Sequence, residues 1–382
     1  MKKSVENQKG LKAVIIDSHV LMRQILASML RRIESIHEIE SVNFESGKSM
    51  LSSFIEYEPD IIFLGIDSEK SAEMQVFSEI RREFPQIPVV LMTPLSREGA
   101  QIALSGLKQG AVDYITKPDR NIGLMLANKH FYKRVLPIIY RLPSINLDVL
   151  KKSDTFSVSD MEVMKVFSDR PNQVSNSVDI VVIGGCLGGV RSLYQVISGL
   201  PEGIPVPVVI VQHMPKYYTR ELSEELDKIT SLNVREAQNN SSLLPGQVYL
   251  APGGYHTVIK NEGARKSLFI HRGPRENHNR PSIDVLFRSA VQVYRDKVLG
   301  VLLSGGGDDG VLGANYITDA GGQIIVESEE SSLLWQLSGK VHEENFSSGK
   351  YNSDQLGIEI AKRIYTKPKR RTFDSRQREK LK

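Results

Sequence analysis

The chain has 382 residues, 40% hydrophobic and 25% charged, with a formal net charge of +4, which describes a globular protein of about two domains and excludes a low-hydropathy disordered chain. A single cysteine, Cys186, excludes an intramolecular disulfide and a zinc-type cysteine/histidine cluster. Met1–Gly10 is polar rather than signal-like, and no apolar run nears the roughly 20 residues that cross a bilayer, so a soluble, cytoplasmic protein without membrane insertion is expected.

From Leu11 apolar and polar blocks alternate. Ala13–Ile16, Asp60–Leu64, Pro88–Met92 and Val112–Ile115 read as buried strands, and Leu21–Arg32, Ala72–Glu83 and Gly99–Gln109 as helices. Asn121–Leu142 supplies a last helix. Strands alternating with helices imply a parallel sheet covered on both faces. Pro143–Ser177, rich in Ser, Asp, Asn and Lys, reads as a linker with a short helix at Met161–Phe167. A second α/β block follows, with strands expected at Ile180–Ile183, Val206–Gln212, Gln247–Ala251, Val298–Leu303 and Gln323–Val326. The basic stretch Lys367–Lys382 reads as a solvated tail, and no nucleic-acid partner is inferred from it. The expected division is 11–128, 129–177 (last helix and linker), 178–365 and the tail 366–382.

Three segments of the second block carry chemistry, each just after an expected strand. Gly-Gly-Cys-Leu-Gly-Gly lifts Cys186 on a strand–turn–helix corner, Val-Gln-His-Met-Pro places His213, and Ser-Gly-Gly-Gly-Asp-Asp-Gly places Asp308 and Asp309. In a parallel sheet these ends share one edge, so a thiol, an imidazole and a carboxylate converge there. That is the inventory of a nucleophile, its base and the group that orients the base. Glycines at 184, 185, 188 and 189 do not fit G-x-G-x-x-G, and no G-K-[ST] follows. A dinucleotide-dependent oxidoreductase and a P-loop enzyme are therefore disfavoured.

On Ile183–Gly189, Gln212–Pro215, Ala251–His256, Arg280–Phe287 and Leu303–Gly310, the second block resembles the catalytic domain of the chemotaxis protein-glutamate methylesterases. The resemblance implies a doubly wound, mainly parallel α/β domain that hydrolyses glutamate methyl esters on chemoreceptor helices and deamidates certain glutamines. It places the nucleophile at Cys186, the base at His213 and the orienting acid at Asp309. The family has serine at the position of Cys186, and usually threonine at Leu187 and methionine at Gly306, the last two lying in the oxyanion and active-site loops. A thiol beside an imidazole ionises more readily than a hydroxyl, so a Cys-His-Asp triad and a thioester intermediate are expected.

Over Leu11–Asn128 the first block resembles the receiver domain of response regulators, which implies a flavodoxin-like fold. Such domains take a phosphoryl group on an aspartate after the third strand, with Mg²⁺ held by acids after the first. Thr93 and Lys117 match the family's hydroxyl and lysine positions, and Asp17 remains from the acidic pair, followed by Ser18. Gly65 stands where the phosphoacceptor belongs, with Asp67 two residues on. No phosphoacceptor, no metal and no Mg²⁺-dependent phosphorylation are therefore expected, and hydrolysis is expected to need no cofactor. Implied partners are methylated chemoreceptor helices and a chemotaxis histidine kinase. The alternative reading is a catalytically silent adaptor that binds receptors without turnover.

Overall fold

The computed structural model describes residues 10–43, 57–118, 124–151 and 178–365. The expected helix at Met161–Phe167 and the basic tail lie outside them. In the first block, β1 (Leu11–Ile16), β2 (Ile36–Val42), β3 (Ile61–Gly65), β4 (Val89–Thr93) and β5 (Asp113–Thr116) form one parallel sheet in the order β2-β1-β3-β4-β5. Its helices are α1 (Val20–Leu30), α2 (Ala72–Glu83), α3 (Arg97–Lys108) and α4 (Leu124–Arg141). The apolar runs of β3 and β4 are buried throughout, as central strands with helices on both faces require. β2, Ile-His-Glu-Ile-Glu-Ser-Val, was not anticipated; as an edge strand it stays largely exposed and carries no apolar run. Ser96 caps α3, its Oγ accepting from Gly99 N at 3.0 Å. Residue 128, the expected edge of this domain, falls inside α4, whose Val135, Ile138 and Ile139 share a core with Met22, Ile25 and Leu26 of α1.

The second block is a seven-stranded parallel sheet. Its strands are β6 (Ile180–Gly185), β7 (Val208–Gln212), β8 (Asn233–Glu236), β9 (Gln247–Leu250), β12 (Val298–Leu302), β13 (Gln323–Glu327) and β14 (Lys350–Tyr351), in the order β14-β13-β12-β6-β7-β9-β8. A separate antiparallel hairpin pairs β10 (His256–Glu262) with β11 (Arg265–His271). Helices α5 (Gly189–Ser198), α6 (Tyr218–Asp227), α7 (Ile283–Tyr294), α8 (Val311–Asp319), α9 (Gln336–Glu343) and α10 (Ser353–Tyr365) complete it. After β6 the chain winds outward through β7 and β9, then returns to place β12 on β6's other side. That reversal is a topological switch point, where open α/β sheets gather their reacting groups. The first sheet has its own between β1 and β3.

The two blocks share their packing. One apolar cluster runs from Leu64, Ala103 and Tyr114 into Tyr218, Leu222 and Leu226. Another runs from Phe63, Val135 and Ile139 into Leu187, Leu333 and Leu334. Helix α3 lies on α6, where Arg97 pairs with Glu221 and Glu224 and Lys108 with Glu225. Partly exposed ion pairs of this kind contribute about 0–1 kcal/mol each. Each buried aliphatic or aromatic side chain contributes about 1.5–3 kcal/mol. The apolar clusters therefore decide that the blocks stay together.

Candidate active site

Three adjacent strands, β12, β6 and β7, carry the candidate residues of the second block. Gly185 pairs with Gln212 and Leu302 with Gly184, so Cys186 and His213 leave neighbouring strands at one level. The corner is held by backbone bonds from Cys186 N to Ser304 O and from His213 N to Gly185 O, each 3.1 Å. Two glycines are needed here for different reasons. Gly188 has φ +82°, and a Cβ on Gly185 would overlap the Gln212 carboxamide. Gln212 Nε2 in turn donates to Cys186 O at 2.7 Å and fixes the turn.

His213 Nε2 and Asp309 Oδ2 are 2.7 Å apart. Asp309 also accepts from Ser282 Oγ at 2.7 Å, Ile283 N at 3.0 Å, Asp284 N at 3.1 Å and Asn277 Nδ2 at 3.4 Å. Two of these donors are the first amides of α7, whose N-terminus favours a negative charge. Burial raises the Asp309 carboxyl, but the hydrogen bond and charge of His213, with Ser282 and the Ile283 amide, outweigh it and leave the group below the usual carboxylate range. Asp308, the other acid of the pair, is exposed and donates nothing to this arrangement; it accepts from Lys340 Nζ at 2.8 Å.

With Nε2 engaged, Nδ1 is the other proton-handling atom of the ring, and it is buried without a conventional hydrogen-bond partner. Cys186 is partly exposed. Burial raises its thiol, while the charge of His213, the Gly306 amide and the charge of Arg141 bring it below the ordinary thiol value. Burial lowers His213, and the Cys186 sulfur and Asp309 more than reverse this. The two groups are thus drawn toward a thiolate–imidazolium pair. Leu187 is buried against Leu333 and Leu334, and Gly306 lies on the loop whose neighbour Gly305 abuts Cys186, a Cβ on Gly305 falling 2.7 Å from Cys186 Cβ.

Several supporting residues were not singled out from sequence. Ser282 and Asn277 hold Asp309, and Gln212 sets the turn. The fully buried Glu327 accepts from Ser192 Oγ and Ser304 N, both at 2.7 Å, and so anchors the loop behind the sulfur. The visible signals were Ser282 inside Arg-Pro-Ser-Ile-Asp, an N-cap position before an apolar run, and Gln212 beside His213.

In the first block, Asp17 is fully buried and Lys117 Nζ lies 3.0 Å from its Oδ2 and 2.8 Å from Asp67 Oδ1. His19 Nδ1 lies 3.3 Å from Asp17 Oδ1 and 3.2 Å from Asp67 Oδ2. A Cβ on Gly65 would overlap Asp17 Oδ2. Asp17, His19 and Asp67 offer three donor atoms within 4.8 Å of one another. One of the three is an imidazole nitrogen, and both carboxylates already meet a lysine. This set does not fit the all-oxygen octahedron that Mg²⁺ demands. Thr93 O accepts from Lys117 N at 2.8 Å, and its side chain reaches the second block: Oγ1 is 2.8 Å from the Tyr218 hydroxyl, which donates to Pro94 O at 2.8 Å. Tyr218 stacks on Tyr114, ring centroids 4.8 Å apart.

Known proteins align with this arrangement along nearly the whole chain. Residues 181–360 match the CheB methylesterase family model, and residues 13–127 match that of the response regulator receiver domain. A protein-glutamate methylesterase/protein-glutamine glutaminase of Trichodesmium erythraeum is 31% identical over 92% of this chain and 98% of its own length. The protein of that name from Thermotoga maritima is 30% identical over 88% of this chain and 94% of its own length. The crystal structure of the Thermotoga maritima CheB methylesterase catalytic domain is 34% identical, covering 49% of this chain and 98% of that one, with a TM-score of 0.48. No described helix is long and apolar enough to cross a membrane. With relatives this similar over both halves, the chain belongs to the protein-glutamate methylesterase family, a receiver domain joined to a methylesterase domain.

Proposed function

We propose that the protein hydrolyses glutamate methyl esters on chemoreceptor helices through Cys186, His213 and Asp309, and deamidates glutamines there by the same route. The observation that carries this reading is the Asp309 carboxylate, held by Ser282 and the first two amides of α7 and 2.7 Å from His213 Nε2, with Cys186 just past the end of the neighbouring strand. Asp309 holds the ring so that Nδ1 serves the sulfur and stabilises the imidazolium.

The thiolate attacks the ester carbonyl carbon, and the carbonyl π pair moves to oxygen. The Gly306 amide faces that region and supports the charge. The intermediate collapses with loss of methoxide, which takes the proton of His213 and leaves as methanol. Neutral His213 then takes a proton from water as the water attacks the thioester. The thiolate departs, and the freed acid loses its proton to solvent. Water is the only co-reactant in this scheme.

The test is methanol release from methylated receptor by the full chain and its Cys186→Ala and His213→Ala variants. Release that falls to background in both variants supports the triad. Background release from all three assigns the chain to the silent, receptor-binding alternative. Cys186→Ser should keep or raise the rate if the frame suits oxygen.

A further inference from the structure

Among the family departures near the sulfur, Gly306 has a partner in the other domain. A Cβ on Gly306 would lie 2.5 Å from Arg141 Nε, and one on Gly307 would lie 3.6 Å from an Arg141 terminal nitrogen. Arg141 is the last residue of α4, the receiver's final helix. The chain beyond it stays on the same wall: Asn146 N donates to Leu333 O at 2.9 Å. Leu334 O accepts from Gly305 N at 2.8 Å, and Leu337 N donates to Gly305 O at 2.9 Å, so the same segment carries the 305–307 loop. A Cβ at 306 would also fall 2.8 Å from Gln336 Oε1 and from Leu334 Cδ2, so a side chain there requires the guanidinium and these neighbours to shift.

We propose that Arg141 is a positioning residue of the esterase site, seated in the space Gly306 leaves and holding its positive charge beside the loop that backs the Cys186 sulfur. The receiver's last helix is then a working wall of the site. The groups that act on the sulfur are His213, the Gly306 amide and Arg141. Arg141 favours the thiolate and the oxyanion that follows it, without touching the substrate.

This inference rests on Cys186 being the nucleophile, and the test separates the two. As the chain's sole cysteine, Cys186 reports its ionisation through the pH profile of iodoacetamide alkylation on the full-length protein. Arg141→Gln should move that profile upward, slow alkylation at neutral pH by about threefold or more, and lower kcat for methanol release with KM unchanged. Arg141→Lys should restore most of the shift, and Gly306→Met should reproduce the Arg141→Gln shift with Arg141 intact. A lowered wild-type profile that Arg141→Gln leaves in place overturns the inference alone. A faster Arg141→Gln enzyme also overturns it, making Arg141 a block. A wild-type profile of an ordinary free thiol overturns the nucleophile reading and the inference together.

Discussion

Both domains put their candidate chemistry at the switch point of a parallel sheet, and both depart from their family there, yet the two sites have gone different ways. At Gly65, where the receiver resemblance expects the phosphoacceptor, there is no side chain to react, and Asp17 lies against the position, held by Lys117 and His19. At Cys186, the proposed nucleophile, a side chain that can react is present and the frame beside it is complete, with Asp309 gathering His213, Ser282 and the first amides of α7. Around a glycine, the polar groups of the pocket pair with one another. An exchange at residue 186 leaves the Asp309–His213 end of the relay in place, because the hydrogen bonds that hold Asp309 run to His213, Ser282 and the first amides of α7.

The sharpest way to break this contrast is Asp309→Asn, which keeps the size of the side chain but presents the wrong hydrogen-bonding face to His213 Nε2. Methanol release should fall by about 10³–10⁴-fold, while Asp308→Asn, an exposed partner of Lys340, should stay within about twofold. A loss under tenfold for Asp309→Asn would mean that His213 is oriented by something else. Next in size is Gly65→Asp. It restores an acceptor in name, but its Cβ meets the Asp17 carboxylate, so a cost of about 1–3 kcal/mol in chemical denaturation is expected. Neither this variant nor the natural chain should take up a phosphoryl group from acetyl phosphate with Mg²⁺; label on Gly65→Asp would show that the pocket reopens.

The smallest effect is on the pH dependence of stability. His213 is raised in the fold, so its contribution is full below the unfolded value of about 6.5 and is lost as pH rises through its folded value. Asp309 is lowered, so its contribution is full above the unfolded value of about 3.9 and is lost as pH falls through its folded value. Denaturation series should therefore show the pair's largest contribution between those limits. His213→Gln should flatten the decline on the alkaline side, and an unchanged slope would remove the coupling.

The central strands and their reactive turns were legible in the sequence because β3, β4, β6, β7 and β12 are apolar runs that end abruptly at glycines or polar residues. β2, β8, β14 and the β10–β11 hairpin were not, since edge and surface strands bury one face or less and leave no such run. The order Cys186, His213, Asp309 was readable as three strand ends. The role of Tyr218 at Thr93 and the approach of Arg141 to Gly306 were not, because each joins residues of different domains far apart in the chain. Glu327 was equally hidden: a lone acid at the end of a strand reads as solvated until Ser192 and Ser304 are seen to bury it.

Sulfur in place of oxygen at residue 186 brings a liability along with its nucleophilicity. A thiolate held beside an imidazolium and partly open to solvent is the form that peroxides oxidise to a sulfenic acid. With no second cysteine in the chain to close a disulfide on it, an oxidised Cys186 recovers only through a thiol supplied from outside. In the proposed mechanism, turnover at this site is therefore tied to the reducing power of its surroundings, a dependence that a serine at the same corner would not carry.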